Sequence, residues 1–327
     1  MGMRAIQAIA FGGPEVLVPT EVPDPVAGPG QVVVDVAVAD TLFVETQIRR
    51  GGAGKYFTVT PPYVPGGAVA GRVRAVGAGA DPGWIGRQVA TRTIDFGGYA
   101  EQALAAVEAL IRAPEGLDLQ VAAALLHDGT TAFGLVEAAD IRPTEWVLVT
   151  GAGGGLGVLL VQLAHAAGAR VIGAARGTRK LDLLAGLGAD AVVDYSEPSW
   201  PECVRAATGG AGVDVVFDGV GGEIGLAAFD LTAPGARFSA HGSPAGGFAV
   251  VDPVEAERRG VTVRGIEQVR FGPEDAKRLA ERALTEAAAG RIKPVIGQTF
   301  PLERAADAHA AIEARAVTGK TLLLVSR

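Results

Sequence analysis

Apolar residues follow two different rhythms along this chain. Up to about residue 120 they form short runs such as Gln31-Val-Val-Val-Asp-Val-Ala-Val38 and Ala68-Val-Ala-Gly-Arg-Val-Arg-Ala-Val76. Pro- and Gly-rich turns at 22–30, 61–67 and 77–87 separate the runs, which predicts a mostly β domain. From about Val121 an Ala- and Leu-rich helix follows, and beyond it strand and helix signals alternate. Strands are expected at 146–150, 170–175, 190–194, 213–218, 236–240 and 261–266, with helical segments including 156–167, 178–187 and 222–231. Alternation of this kind predicts an α/β fold with a parallel, doubly wound sheet. A helix is expected around 273–289 and a closing strand at Thr321-Leu-Leu-Leu-Val325. That strand has no neighbour in sequence, so it is expected to return to the first domain.

Bulk properties narrow the class. At 327 residues with 49% hydrophobic content, the chain is long enough for two cores, since single cores rarely grow past ~250–300 residues. The expected division is 1–122 with 268–327 in one domain and 123–267 in the other. A net charge of −7 argues against a general nucleic-acid binder. One cysteine, Cys203, excludes an internal disulfide and suits a reducing compartment. The first residues, Met1-Gly-Met-Arg-Ala-Ile-Gln7, lack the apolar core of a signal peptide. The apolar stretch at 156–167 is broken by Gln162 and His165 and is too short to span a bilayer. A soluble cytoplasmic protein is expected, with no membrane or nucleic-acid partner.

Chemistry concentrates in the middle of the chain. The segment Trp146-Val-Leu-Val-Thr-Gly-Ala-Gly-Gly-Gly-Leu-Gly157 runs from an apolar stretch into a glycine cluster. Leu156, Leu159, Leu160 and Leu163 then recur at helical spacing, and Gly168 closes the helix. This is the layout of a dinucleotide-binding βαβ unit. Glycines let the backbone approach a pyrophosphate, and the helix N-terminus offers it free N–H groups. The alternative is a tight strand-to-helix turn that binds nothing. Ala152 stands where the common fingerprint has its first glycine, giving A-x-G-G-x-G at 152–157.

The second apolar run selects between cofactors. NAD-binding units place an acid roughly 20 residues past the glycines, where it holds the ribose 2′-hydroxyl. Here Arg176 stands 19 residues after Gly157, Arg179 and Lys180 follow, and no acid appears before Asp182. A carboxylate repels a 2′-phosphate, whereas a guanidinium grips it. NADPH is therefore the expected cofactor.

Taken in order, several segments resemble the medium-chain dehydrogenase/reductase superfamily, in its zinc-free quinone oxidoreductase (zeta-crystallin-like) branch. They are Phe11-Gly-Gly-Pro-Glu-Val-Leu17, Pro62-Tyr-Val-Pro-Gly-Gly-Ala-Val-Ala-Gly71, Gly97-Gly-Tyr-Ala-Glu101 and Gly129-Thr-Thr-Ala132. The glycine cluster, Leu187-Gly-Ala-Asp-Ala-Val-Val-Asp-Tyr195 and Gly319-Lys-Thr-Leu-Leu323 continue the likeness nearly end to end. The resemblance implies a GroES-like β domain joined to a Rossmann domain, substrate in the cleft between them, and a homodimer. It implies hydride transfer from NADPH to a small quinone or conjugated enone.

The residues also bear on zinc. The superfamily's zinc enzymes need Cys and His ligands, and this chain has one Cys and four His: His127, His165, His241 and His309. Gly66-Gly67-Ala68 occupies the segment where the zinc enzymes carry Gly-His-Glu. No metal site is expected.

By the same resemblance Gly154, Gly155, Leu156 and Gly157 cradle the pyrophosphate. Lys180 and Tyr195 hold the 2′-phosphate, with Arg176 added from its charge alone. Thr131 lies near the nicotinamide; Gly222, His241, Gly242 and Ser243 lie on loops beside the ribose and nicotinamide. Tyr56 is the candidate proton donor or substrate hydrogen bond, with Tyr63 a weaker one. In place of a family Asn before the Glu45-Thr46 segment stands Leu42, with Asp40 and Thr41 as nearby polar groups. Two other readings remain at this point: a biosynthetic enone or enoyl-thioester reductase, and a non-catalytic, crystallin-like NADPH-binding protein.

Overall fold

A computed structural model describes residues 2–52, 54 and 56–325. The chain divides into two units, one made of residues up to His127 and from Ala280 onward, the other of Asp128–Leu279.

In the first unit, β1 (Gly2–Ala8) and β2 (Leu17–Pro23) form an antiparallel hairpin. There follow β3 (Gln31–Asp40), α1 (Phe43–Arg49), β4 (Ala68–Val76), β5 (Gln88–Arg92), β6 (Gln102–Ala106) and β7 (Ile111–Arg112). The long helix α2 (Leu119–Ala139) leads into the second unit. There the order is β8 (Trp146–Thr150), α3 (Gly155–Ala166), β9 (Arg170–Ala175), α4 (Thr178–Gly186), β10 (Ala191–Asp194) and α5 (Trp200–Ala207). Next come β11 (Val213–Asp218), α6 (Gly222–Asp230), β12 (Thr232–Ala240), α7 (Pro253–Arg258) and β13 (Thr262–Arg264). After α8 (Pro273–Ala288), the chain rejoins the first unit with β14 (Ile296–Pro301), α9 (Ala305–Glu313) and β15 (Lys320–Leu324).

The second unit's sheet runs β10-β9-β8-β11-β12-β13, with every described pairing parallel. Counted within the unit this is order 3-2-1-4-5-6, the Rossmann arrangement, whose order reverses between β8 and β11. Helices cover both faces of such sheets, which explains why β8 is buried at every position and β9 at all but its first. Leu148, Ile172, Val216 and Phe238 form the centre of its core beside Phe229 and Trp200.

The first unit's main sheet runs β14-β15-β3-β4-β5-β7, with β6 also pairing β3. Its core gathers Val32, Val34, Val36, Val69, Val73, Val89, Leu110 and Leu323. The C-terminal strand does return to this sheet, where Leu322 and Leu323 pair with Asp40 and Ala39. The expectation that β15 lacks a partner nearby in sequence is corrected, because β14 lies parallel to it. Alternating half-buried and exposed positions along β14 explain the missing signal.

Candidate active site

The glycine cluster sits where β8 gives way to α3. Gly151 turns the chain at φ 65°, a conformation that disfavours other residues. Gly154 forms the N-cap of α3 without a side-chain cap, leaving the first-turn N–H groups for a ligand. A Cβ on Gly157 would lie 2.6 Å from both the Ala152 Cα and the Gly151 carbonyl oxygen. Only glycine lets the helix approach its own loop this closely. Gly155 and Leu156 complete the first turn, and Ala152 N–H donates to the Ala174 carbonyl at 3.0 Å, tying the loop to β9.

At the end of β9 the structure brings together Arg176, Lys180 and Tyr195. Buried Ala175 ends the strand, and Arg176 follows it where an NAD-type acid would stand. The Arg176 guanidinium lies 5.5 Å over the Tyr195 ring. Lys180 reaches from α4 along the glycine loop, its Cδ 2.8 Å from where a Gly153 Cβ would be. Burial and the Arg176 charge both push the Lys180 ammonium below its ordinary value. Two cations beside an uncapped helix N-terminus make a corner suited to an anion. Asp194 Oδ2 accepts from Gly177 N–H at 2.8 Å, so this nearby acid is engaged with the backbone.

Loops after β11 and β12 hold most of the remaining candidates. Gly222 opens α6 at φ 54°, and its N–H donates to the Gly247 carbonyl at 3.0 Å. A Cβ on Gly242 would lie 2.1 Å from the Gly219 carbonyl, so these two loops meet backbone to backbone. The Ser243 carbonyl accepts from Gly246 and Gly247. His241 Nδ1 lies 3.0 Å from Ser239 Oγ, and burial pushes the imidazole down to about 4, leaving it neutral at physiological pH. Thr131 is buried in the middle of α2, which removes the alternative that it caps a helix.

Sequence reasoning missed a polar pair that underlies these loops. Thr150 and Asp218 close β8 and β11, and the Thr150 hydroxyl donates to Asp218 Oδ1 at 2.7 Å. The available signal was a polar residue closing each strand: Thr150 the single one of β8, Asp218 the second of β11 after Asp214.

In the first unit, Glu45 anchors the segment around Leu42. Its Oε2 accepts from Leu42 N–H at 3.0 Å and Tyr99 hydroxyl at 2.9 Å, and Oε1 accepts from Gly67 N–H at 3.0 Å. Burial nevertheless holds this carboxyl above its usual range. Asp40 pairs with Lys320, and the Thr41 hydroxyl donates to the Thr321 carbonyl at 2.6 Å. Both polar residues beside Leu42 are thus engaged with β15. Tyr56 lies half-buried in the loop after α1. Tyr63 packs its ring 6.1 Å from Phe96, and burial followed by the Glu45 charge pushes its phenol up to about 12. Its buried hydroxyl has no hydrogen-bond partner among the described residues. Among the described residues no group of three or more His, Cys, Asp or Glu side chains is placed to hold a metal ion.

Known proteins carry the same architecture. The family described as alcohol dehydrogenase GroES-like domain matches residues 28–115, and the one described as zinc-binding dehydrogenase matches 155–285. Quinone oxidoreductase of Sus scrofa is 32% identical over 326 residues, covering 99% of this chain and 98% of the relative. The chain belongs to the quinone oxidoreductase family of medium-chain dehydrogenases/reductases. It is accordingly an oxidoreductase with a GroES-like domain and a Rossmann domain. Among solved structures of this family, Escherichia coli quinone oxidoreductase complexed with NADPH superposes with a TM-score of 0.91 at 27% identity, over 98% of this chain and 99% of that one. A 2-haloacrylate reductase from Burkholderia sp is 30% identical, covering 96% of each chain.

Proposed function

We propose that this chain is an NADPH-dependent reductase that acts on a small quinone or conjugated enone without a metal ion. The observation that carries the cofactor choice is the corner after β9, where Arg176, Lys180 and Tyr195 converge and no carboxylate ends the strand. The E. coli relative's complex with NADPH supports the same reading. Bound there, NADPH supplies hydride.

The chain's own residues divide the remaining work. Gly154 turns the chain into α3, its own N–H donated to the Gly151 carbonyl, and the N–H groups of Gly155, Leu156 and Gly157 face the pyrophosphate. Arg176 and Lys180 neutralise the 2′-phosphate, with Tyr195 beneath the guanidinium. Thr131, Gly222, His241, Gly242 and Ser243 orient the nicotinamide half. A neutral His241 adds hydrogen bonding without placing a positive charge beside a ring that becomes cationic on oxidation. Tyr56 donates a hydrogen bond or a proton to the oxygen that gathers negative charge in the acceptor. Quinones and enones suit such a site because conjugation spreads that charge without Lewis-acid help.

A conjugated acid or ester is the second reading, favoured by the likeness to 2-haloacrylate reductase. Following reduced-nicotinamide absorbance with small quinones, acyclic enones and acrylates separates the readings. No turnover with any of the three classes overturns the proposed activity.

For the assembly we propose a homodimer. β13, at the sheet edge, exposes all three of its side chains, with Val250 and Val254 exposed on the segment before it. An open edge with apolar neighbours pairs readily with another strand. A monomer in sedimentation equilibrium overturns this. Among the described residues no helix is long and apolar enough to cross a membrane, and we place the protein in the cytoplasm on its single cysteine.

A further inference from the structure

Thr150 and Asp218 are register partners across β8 and β11, the two strands between which the sheet order reverses. Ligands bind outside the strand ends at such a reversal. Asp218 is fully buried and Thr150 is 2% exposed. One carboxylate oxygen, Oδ1, accepts from the Thr150 hydroxyl at 2.7 Å, from Val220 N–H at 3.1 Å and from Gly221 N–H at 3.0 Å. Thr150 Oγ1 in turn accepts from Gly219 N–H at 3.1 Å. The Asp218 carbonyl receives the N–H groups of His241 at 3.1 Å and Gly242 at 3.0 Å.

A buried carboxyl at this point is unfavourable for stability alone. Burial raises the Asp218 carboxyl above its usual range, against the pull of its hydrogen bonds. Its second oxygen has no hydrogen-bond partner among the described residues and crowds Gly225, where a Cβ would lie 2.3 Å away. The strand pairing does not need it, because the β8–β11 ladder is made by backbone groups. What the carboxylate gathers is specific: the end of β8 and the loop after β11, while the loop after β12 is held by the Asp218 backbone carbonyl, whatever the side chain.

We propose that Asp218 is a positioning residue for the dinucleotide, acting through Thr150 to hold two loops in one arrangement. Those loops are Gly151–Gly157, which follows Thr150 directly, and Gly219–Gly222, whose first three amides the two side chains receive. Thr150 is the coupling element, since its hydroxyl bonds both the carboxylate and the first amide of the second loop. This role rests on the NADPH reading given above.

The test uses the full chain with Thr150→Val, Thr150→Ser and Asp218→Asn. NADPH affinity is measured by calorimetry, thermal midpoint by calorimetric scan, and KM for NADPH is separated from kcat. Thr150→Val keeps the side-chain volume but removes the hydroxyl. It is expected to weaken NADPH on the order of tenfold or more, as for loss of a hydrogen bond to a charged group, while kcat at saturating NADPH is retained. Thr150→Ser is expected to restore wild-type affinity, and Asp218→Asn, which keeps one acceptor oxygen, to fall between. A purely structural role would lower the midpoint of Thr150→Val without changing affinity in the folded protein. That outcome, or a serine variant as weak as the valine one, overturns the positioning role while leaving the cofactor reading intact. A wild-type chain that does not bind NADPH overturns both.

Discussion

Lys320 and Asp40 form an ion pair at 2.7 Å with side chains only 4% and 1% exposed. The pair joins β15 to the end of β3, next to the Thr41–Thr321 hydrogen bond. Breaking a buried pair from one side strands the other charge, which typically costs about 3–5 kcal/mol. Lys320→Met is therefore expected to destabilise the protein by about that amount, read as the shift of the urea midpoint. Adding Asp40→Leu should recover most of the loss; no recovery would show that the two charges are not coupled.

Cofactor selectivity follows from the corner after β9. Arg176→Glu combined with Lys180→Glu is expected to weaken NADPH far more than NADH, because both changes place negative charge at the proposed 2′-phosphate corner. Comparing dissociation constants for the two nucleotides checks this. Equal losses for both would remove the phosphate assignment.

Glycines in and near the site differ in the room around them. Gly157→Ala forces a methyl into backbone atoms at 2.6 Å, which cannot move as a flexible side chain would. Overpacking of this kind costs about 1–3 kcal/mol, and NADPH affinity should drop with it. At Gly186, which ends α4, an added methyl would meet no described atom within 4 Å. Gly186→Ala should be neutral or stabilising by about 0.4–1 kcal/mol. Thermal midpoints of the two variants moving together would contradict the packing argument.

Acid sensitivity has a defined sign. Burial pushes His309 from 6.5 down to about 3, with Arg49 adding repulsion, and pushes His241 down to about 4. Below the unfolded value the denatured chain takes up protons that the native imidazoles refuse. Stability is thus unaffected by these groups above that value and is lost as pH falls beneath it. Each histidine contributes about 1.4 kcal/mol per pH unit. Glu45 and Asp218 oppose this in part, since their native carboxyls are held up and bind protons earlier. A His309→Asn variant should show a shallower loss of unfolding free energy between neutral and mildly acid pH than the wild type. Parallel curves would mean that His309 titrates as an exposed imidazole does.

The legible parts of this fold were those whose burial imposes a pattern. β8, β9 and β11 are largely enclosed on both faces, so Trp146–Val149, Val171–Ala175 and Val215–Phe217 read as continuous apolar runs. By contrast α7 is six residues long with only Ala256 buried, and β14 alternates between half-buried and exposed positions. Such short, wet elements leave little trace in composition. The glycine loop and its basic neighbours were legible because close backbone approach and charge are written in residue type. The Thr150–Asp218 contact was not, because 68 residues separate partners that only the strand order brings together.

Because β3 pairs with β15, the first unit is assembled from both ends of the chain, with Asp128–Leu279 set in as an insertion. During synthesis the inserted nucleotide unit has its complete sheet available while the surrounding unit still lacks β14 and β15. Until then the edge of β3 that receives β15 presents unpaired backbone groups, a vulnerable interval for aggregation that closes only when Lys320–Leu324 arrives.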